Sequence, residues 1–161
     1  MRVSTVRAAA VAVAAVLVAS CSSSTNAAGG RQAVLDAYRQ SWADLIAAGD
    51  PINPDAPQLR THRAKQALDV IVVVLKDYQS KGVVYRGTVD LHPKIVKLDG
   101  DKATIRDCVF DHTETLDPNT NQIVKAAANH ARWATTTMEV VGGGWKAVTF
   151  TPEDKECTPE P

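Results

Sequence analysis

Three cysteines carry the most reactive side chains of this 161-residue chain, at positions 21, 108 and 157. A thiol can enter a disulfide, ligate a metal or carry a covalent lipid, and an odd count leaves one cysteine outside any pair within the chain. Cys21 follows an alanine-rich apolar run and precedes the hydroxyl residues SSST. The use of Cys21 therefore decides what chemistry is left for Cys108 and Cys157.

The first twenty residues have the parts of an export signal. Arg2 and Arg7 give a basic start, and residues 8–18 form an apolar run of eleven residues, shorter than the roughly twenty that a spanning helix needs. Residues 17–21, LVASC, match the lipobox of bacterial lipoproteins, in which small residues precede the cut and the cysteine thiol takes a diacylglyceryl group. The sequence thus predicts a lipoprotein signal peptide over residues 1–20 and lipidation of Cys21.

A lipid on Cys21 predicts where the mature chain resides. Acyl chains contribute about 0.8 kcal/mol per buried CH₂, so we expect a lipid anchor on the extracytoplasmic face of the cell membrane. Residues 22–30, SSSTNAAGG, lack apolar periodicity and predict a flexible tether over residues 21–30. The chain has eighteen basic and eighteen acidic residues. This balance gives no net positive charge that would attract nucleic acid, and we expect no nucleic-acid partner.

Export to an oxidising compartment predicts a disulfide between Cys108 and Cys157, because the lipid occupies Cys21. Closing a loop of about fifty residues contributes roughly 4 kcal/mol by the chain-entropy estimate. The alternative is a metal site built from Cys108, His112 and Cys157. That set lacks a Cys-x-x-Cys or His-x-x-x-His pair, and we expect neither a metal nor a cofactor.

Residues 31–161 predict one α+β domain that begins with helices. Residues 31–51 place apolar side chains at helical spacing, namely Val34, Leu35, Tyr38, Trp42, Leu45 and Ile46, before Gly49 and Pro51. A second helix is predicted from about residue 59 to residue 80, with a stripe of Ala64, Leu68, Ile71, Leu75 and Tyr78. The β-branched residues 70–74 are compatible with a strand, but their place inside this stripe favours the helix.

After Gly82 the apolar period changes to two, which predicts strands. Val83, Tyr85, Val89 and Leu91 alternate with polar residues, Pro93 predicts a bend, and residues 95–98 continue the strand. Residues 98–102, LDGDK, predict a hairpin to a strand over residues 103–112. A polar loop over residues 115–122, a strand over residues 124–141, a hairpin at the glycines 142–144 and a last strand over residues 145–150 complete the prediction.

Four stretches of this pattern resemble the nuclear transport factor 2-like cone fold. They are the helix with Tyr38 and Trp42, the junction over residues 78–87, the RDCVFD strand and the GGGWKAV strand. In particular they are similar to small exported versions from bacteria of high genomic GC content. Many of those are lipoproteins with a cysteine after an aspartate on the second strand and another near the C-terminus. The likeness covers about residues 31–157 and implies N-terminal helices packed on a curved, mainly antiparallel sheet of four to five strands.

The resemblance also implies a conical pocket, in which enzymes of this fold keep an aspartate or an aspartate–histidine pair. Their shared chemistry is proton abstraction beside a carbonyl or activation of water, and the base is partly buried to raise its pKa. The residues that fit are Asp107, Asp111, His112 and His130. Each also has an ordinary explanation, and no spacing joins a base to an orienting partner.

Two functions follow as hypotheses. The first is a non-catalytic binding or adaptor module of the cell envelope that holds an apolar small molecule or docks onto an envelope protein. The second is a lipid-tethered isomerase, dehydratase or cyclase that uses a pocket aspartate. The residues that we predict to line the pocket are Tyr38, Trp42, Asp107, Phe110 and Trp133. Burial of Asp107 discriminates the two hypotheses. A carboxylate that faces an enclosed pocket with a histidine or tyrosine within hydrogen-bond reach favours catalysis, whereas a pocket filled by Trp42, Leu75 and Phe110 excludes it.

Overall fold

The computed structural model describes residues 25–159. The predicted signal peptide, residues 1–20, and Cys21 lie outside the described residues. Within the described part, three helices precede antiparallel sheets of three and five strands. The predicted α+β class is confirmed. None of the helices in residues 25–159 combines the length and the apolar character that crossing a membrane requires.

The helices are α1, Thr25–Ala47, α2, Pro57–His62, and α3, Lys65–Ser80. Helix α1 begins six residues before the predicted start, inside the segment predicted as a tether. Residues 70–74 are helical, as predicted. Of these five residues Ile71 packs against the core, whereas Val70, Val73 and Val74 are exposed.

The single helix predicted over residues 59–80 is wrong, because the chain breaks between α2 and α3 at Arg63 and Ala64. Both residues have extended backbones, with φ of −129° and −154°. The Ala64 amide donates a hydrogen bond of 3.0 Å to the carbonyl of Ala147, and the Arg63 side chain is buried. Contact with a strand thus overrides the local helical periodicity.

The larger sheet is the wall on which the helices pack. In spatial order its strands are β2, Val89–Asp90, β4, Lys102–Asp111, β7, Arg132–Val141, and β8, Gly144–Glu156, and β3, Lys94–Asp99, also pairs with β4. The predicted bend at Pro93 separates β2 from β3, and the predicted hairpins join β3 to β4 and β7 to β8. Strand β8 extends past the predicted residue 150, along the edge of β7.

A smaller sheet was not predicted. It joins β1, Val84–Arg86, β5, Glu114–Leu116, and β6, Ile123–Lys125, in that order. The polar loop predicted over residues 115–122 is therefore partly strand. The strand predicted over residues 124–141 is wrong in its first part, since residues 126–131 form neither helix nor strand. We call residues 123–128 the strap.

The core lies between the helices and the inner face of the larger sheet. Alternate residues of β4 face it, as the two-residue period of a strand requires, and these are Ala103, Ile105, Asp107 and Val109. Buried α1 residues at helical spacing meet them, namely Val34, Tyr38, Trp42 and Leu45. Burial of these apolar side chains holds α1 on the sheet and positions the cavities described below.

Candidate binding site

Two adjoining cavities lie where β4 ends. The first, which we call the α3 cavity, has a volume of about 400 Å³. It is lined by Leu45, Ile71, Val74, Leu75, Tyr78, Tyr85, Asp111, Thr113, Thr115 and the strap residues Lys125, Ala126, Ala127 and Ala128. A volume of this size is typical of a small-molecule site.

Side chains on one face of α3 and a pair of tyrosine rings form the apolar wall of the α3 cavity. Ile71, Leu75 and Tyr78 follow one another by four and three residues, which places them on one face of α3. The rings of Tyr78 and Tyr85 lie 6.2 Å apart between centroids, at an angle of 36°. This wall is predominantly apolar, and the tyrosine hydroxyls add hydrogen-bonding groups to it.

The second cavity, which we call the tryptophan cavity, has a volume of about 430 Å³. Its lining includes Trp42, Val109, Asp111, Lys125, Ala128, His130, Arg132, Trp133, Ala134, Phe150 and Pro152. The rings of Trp42 and Phe150 meet edge to face, with centroids 5.5 Å apart. Such a pair stabilises the wall by about 0.5–1.5 kcal/mol beyond the burial of its area.

Asp111, Lys125 and Ala128 line both cavities, and we call these three residues the seam. Strand alternation places Asp111 on the inner face, two residues after Val109. Its carboxylate accepts hydrogen bonds from the amide and the hydroxyl of Thr113, the first at 2.9 Å. The amide of Ala128 donates to the backbone carbonyl of Asp111 at 3.2 Å. The strap is thereby tied to the end of β4 at the boundary between the cavities.

Tyr85 is a further polar residue that lies beside the seam. Burial raises the pKa of Tyr85, and the negative charge of Asp111 raises it further. The phenol therefore stays protonated at neutral pH and can donate a hydrogen bond. Sequence reasoning missed Tyr85 and Lys125 as site residues. Their proximity depends on pairing of β5 with both β1 and β6, which no local pattern signals.

Asp107 lies in the core rather than in the lining of either cavity. Its side chain is fully buried, one oxygen accepts the Tyr38 hydroxyl at 2.8 Å and the other accepts the His92 amide at 2.6 Å. Burial raises the pKa of Asp107, and these hydrogen bonds oppose the rise. The structure thus brings together two of the predicted lining residues, Tyr38 and Asp107, as a buried polar pair.

The other predicted lining residues occupy different places. Trp42 and Trp133 belong to the tryptophan cavity. The Trp133 ring also stacks on the guanidinium of Arg106, whose carbon lies 4.5 Å from the ring centroid. Phe110 packs on the ring of His112, with centroids 3.9 Å apart. The five residues are therefore not one pocket wall.

Three histidines lie beside carboxylates, which the sequence did not predict. His62 lies 2.6 Å from the buried Asp44, His112 lies 3.0 Å from Asp90, and His130 lies 3.6 Å from Glu156. Of these histidines, His130 lines the tryptophan cavity. The His62–Asp44 pair has the geometry of an oriented imidazole, but it is outside the lining of both cavities.

The predicted disulfide between Cys108 and Cys157 is present and closes a sequence separation of 49 residues. Both sulfurs are used in this bond, so neither is a thiolate ligand for the alternative metal site with His112. Among the residues that the structure describes, no group of three or more histidine, cysteine or acidic side chains is arranged to hold a metal ion.

Two solved structures have folds similar to that of this chain. One is the intermembrane space region of the chloroplast protein ARC6, with a TM-score of 0.57, 14% identity and coverage of 73% of this chain and 91% of that one. The other is a Novosphingobium aromaticivorans protein provisionally described as an aromatic ring hydroxylase, with a TM-score of 0.56, 13% identity and coverage of 78% and 89%. No protein-family model and no curated protein matches the chain. At these identities the likeness shows the fold alone, an α+β fold consistent with a nuclear transport factor 2-like cone, and nothing about activity.

Proposed function

We propose that this protein is a lipid-anchored binding module of the cell envelope, which holds an apolar small molecule in the α3 and tryptophan cavities without transforming it. The observation that carries the proposal is the pair of adjoining cavities that share the seam residues and have mainly apolar and aromatic linings. Pockets of this kind bind small molecules by burying apolar surface, and a few polar groups fix the orientation.

The position of Asp107 favours binding over catalysis. A general base must reach the proton that it abstracts, but both oxygens of Asp107 accept hydrogen bonds inside the core. The isomerase, dehydratase or cyclase alternative would instead depend on Asp111, which does line both cavities. Turnover of a carbonyl-containing substrate that is lost in a folded Asp111→Asn variant would favour that alternative.

Filling the α3 cavity tests the proposal. The exported protein is held in phosphatidylcholine nanodiscs and titrated with N-phenyl-1-naphthylamine, a neutral fluorophore that brightens in apolar surroundings, with empty nanodiscs as the blank. We expect Ala127→Phe to weaken binding by about tenfold or more, equivalent to about 1.4 kcal/mol, because the new ring occupies the cavity. Ala33→Phe is the matched control, since Ala33 is exposed on α1 and lines neither cavity.

Unchanged affinity in a folded Ala127→Phe protein would contradict the proposal, as would equal losses in the two variants. The fold of each variant is checked by its circular dichroism spectrum and unfolding midpoint.

A further inference from the structure

Charged groups of both signs surround the tryptophan cavity, since Asp154 lies 2.9 Å from Arg132 and Glu156 lies 3.6 Å from His130. Lys125, His130 and Arg132 line the tryptophan cavity, whereas Asp111 is its one carboxylate among the lining residues. In contrast, the α3 cavity has aliphatic and aromatic walls away from the seam. The two adjoining cavities therefore have an apolar end and an end with charged groups, of which Lys125 and Arg132 are the cations.

Lys125 is the cation best placed to meet a ligand. It belongs to the lining of both cavities, it is exposed to solvent, and within residues 25–159 its ammonium forms no ion pair of 4.0 Å or less. Asp111, the other charged member of the seam, already accepts two hydrogen bonds from Thr113. An unpaired lysine beside an apolar cavity favours an anionic group on the ligand.

Arg132 is a second cation at the tryptophan cavity, and it forms an ion pair with an exposed carboxylate. Its guanidinium donates to Asp154 at 2.9 Å and to His130 at 2.9 Å, and the side chain of Asp154 is 96% exposed. An ion pair in such an exposed setting contributes little to stability. A ligand anion can therefore compete for Arg132 at small cost.

We infer that the ligand is a single-chain amphipathic carboxylate, with its hydrocarbon tail in the α3 cavity and its carboxylate between Lys125 and Arg132. This inference rests on the proposed function, because it assigns a chemical class to the occupant of the same cavities. The two cavities have volumes of about 400 and 430 Å³. These volumes fit a ligand with one hydrocarbon chain and one polar head group better than a phospholipid with two acyl chains.

The test compares an acid with its neutral ester. The exported protein in phosphatidylcholine nanodiscs is titrated with 9,10-dibromostearic acid or with its methyl ester, and quenching of tryptophan fluorescence by the bromines gives each Kd. We expect Lys125→Met to weaken binding of the acid by about tenfold, as loss of one charge-assisted contact predicts. The same substitution should leave binding of the ester within about twofold, because the tail contacts remain.

Lys76→Met is the matched control, since Lys76 is exposed on α3 and lines neither cavity. Equal affinity for acid and ester in the wild-type protein, or equal losses in Lys125→Met, would overturn the carboxylate assignment while leaving the proposed function standing. Absence of binding by both probes would contradict the proposed function itself. Displacement of the acid by equimolar phosphatidylglycerol would replace the single-chain ligand with a phospholipid.

Discussion

Asp107 and Tyr38 form the most deeply buried polar contact between α1 and the larger sheet. Both side chains are at most 1% exposed, and the Tyr38 hydroxyl donates to the carboxylate at 2.8 Å. Burial raises the pKa of Tyr38, and the charge of Asp107 adds to the effect, so the phenol remains a donor. The contact is therefore a structural link across the core, and its energetics can be tested apart from ligand binding.

We predict that Tyr38→Phe destabilises the protein by about 1–3 kcal/mol at pH 7, because a buried carboxylate oxygen loses its donor. Asp107→Asn should cost less, since the amide can accept from His92 and donate to Tyr38. Urea unfolding of the two variants and the wild type at pH 7 measures the difference. A larger loss for Asp107→Asn would contradict this account of the pair.

The Tyr38–Asp107 pair also predicts how the stability of the protein changes with pH. The pKa of Asp107 is raised in the folded state, so the folded protein binds more protons than the unfolded chain between the two pKa values. Stability from this group falls as pH rises through the unfolded value of about 4 to the folded value. The stability of Asp107→Asn relative to wild type should therefore increase from pH 4 to pH 7.

Sequence reasoning identified Asp107 as a polar group on the inner face of a strand that accepts a hydrogen bond from Arg132 or a tyrosine, but it did not identify Tyr38 and His92 as the donors. The alternation of β4 is a local pattern, whereas the bond to Tyr38 joins residues 69 positions apart. The same limit applies to Lys125, whose neighbours in the cavities come from α3, β1 and β4. Residue type and period indicate which face a side chain takes, and only the tertiary contacts decide which residues meet there.

At the scale of elements, the junction between α1 and β1 fixes one edge of the α3 cavity. Gly49 is buried, and its carbonyl accepts the amide of Tyr85 at 2.9 Å. A Cβ added to Gly49 would overlap the carbonyl oxygen of Tyr85 and lie 2.9 Å from a carbon of its ring. The absence of a side chain at residue 49 therefore lets the strand carrying Tyr85 approach the end of α1.

We predict that Gly49→Ala destabilises the protein by about 1–3 kcal/mol, because the two backbones must separate to admit the methyl group. Gly144→Ala is a matched control, since nothing lies within 4 Å of its added Cβ, and it should change stability by less than about 0.5 kcal/mol. Unfolding midpoints in urea measure both effects. Equal small effects would show that the contact at Gly49 tolerates a side chain.

The elements that the sequence predicted well are those with local signals. Helix α1, the hairpin at Gly100 and the strand β4 follow from periodicity and turn residues. The break at Arg63 does not, because an extended backbone there is stabilised by distant groups, including the carbonyl of Ser41, which accepts the guanidinium at 3.2 Å. Burial lowers the pKa of Arg63 to about 10, which leaves it charged at neutral pH.

At the scale of the whole molecule, the disulfide ties the C-terminal segment to the middle of β4. The closed loop includes the smaller sheet's last two strands, the strap and both long strands β7 and β8. Restricting this loop in the unfolded chain contributes roughly 4 kcal/mol by the chain-entropy estimate. The bond therefore limits opening of the elements that enclose the tryptophan cavity.

The lipid anchor is the remaining expectation for the whole molecule, and it depends on Cys21. In the predicted modification the thiol of Cys21 receives the diacylglyceryl group, so Cys21→Ala leaves no atom to modify. We predict that this variant incorporates no labelled palmitate and either persists as an uncleaved precursor or leaves the membrane fraction. Ser22→Ala, which retains the thiol and residues 17–20, should be labelled like the wild type. Label on the Cys21→Ala protein would show that its fatty acid is attached elsewhere and would remove the lipoprotein assignment.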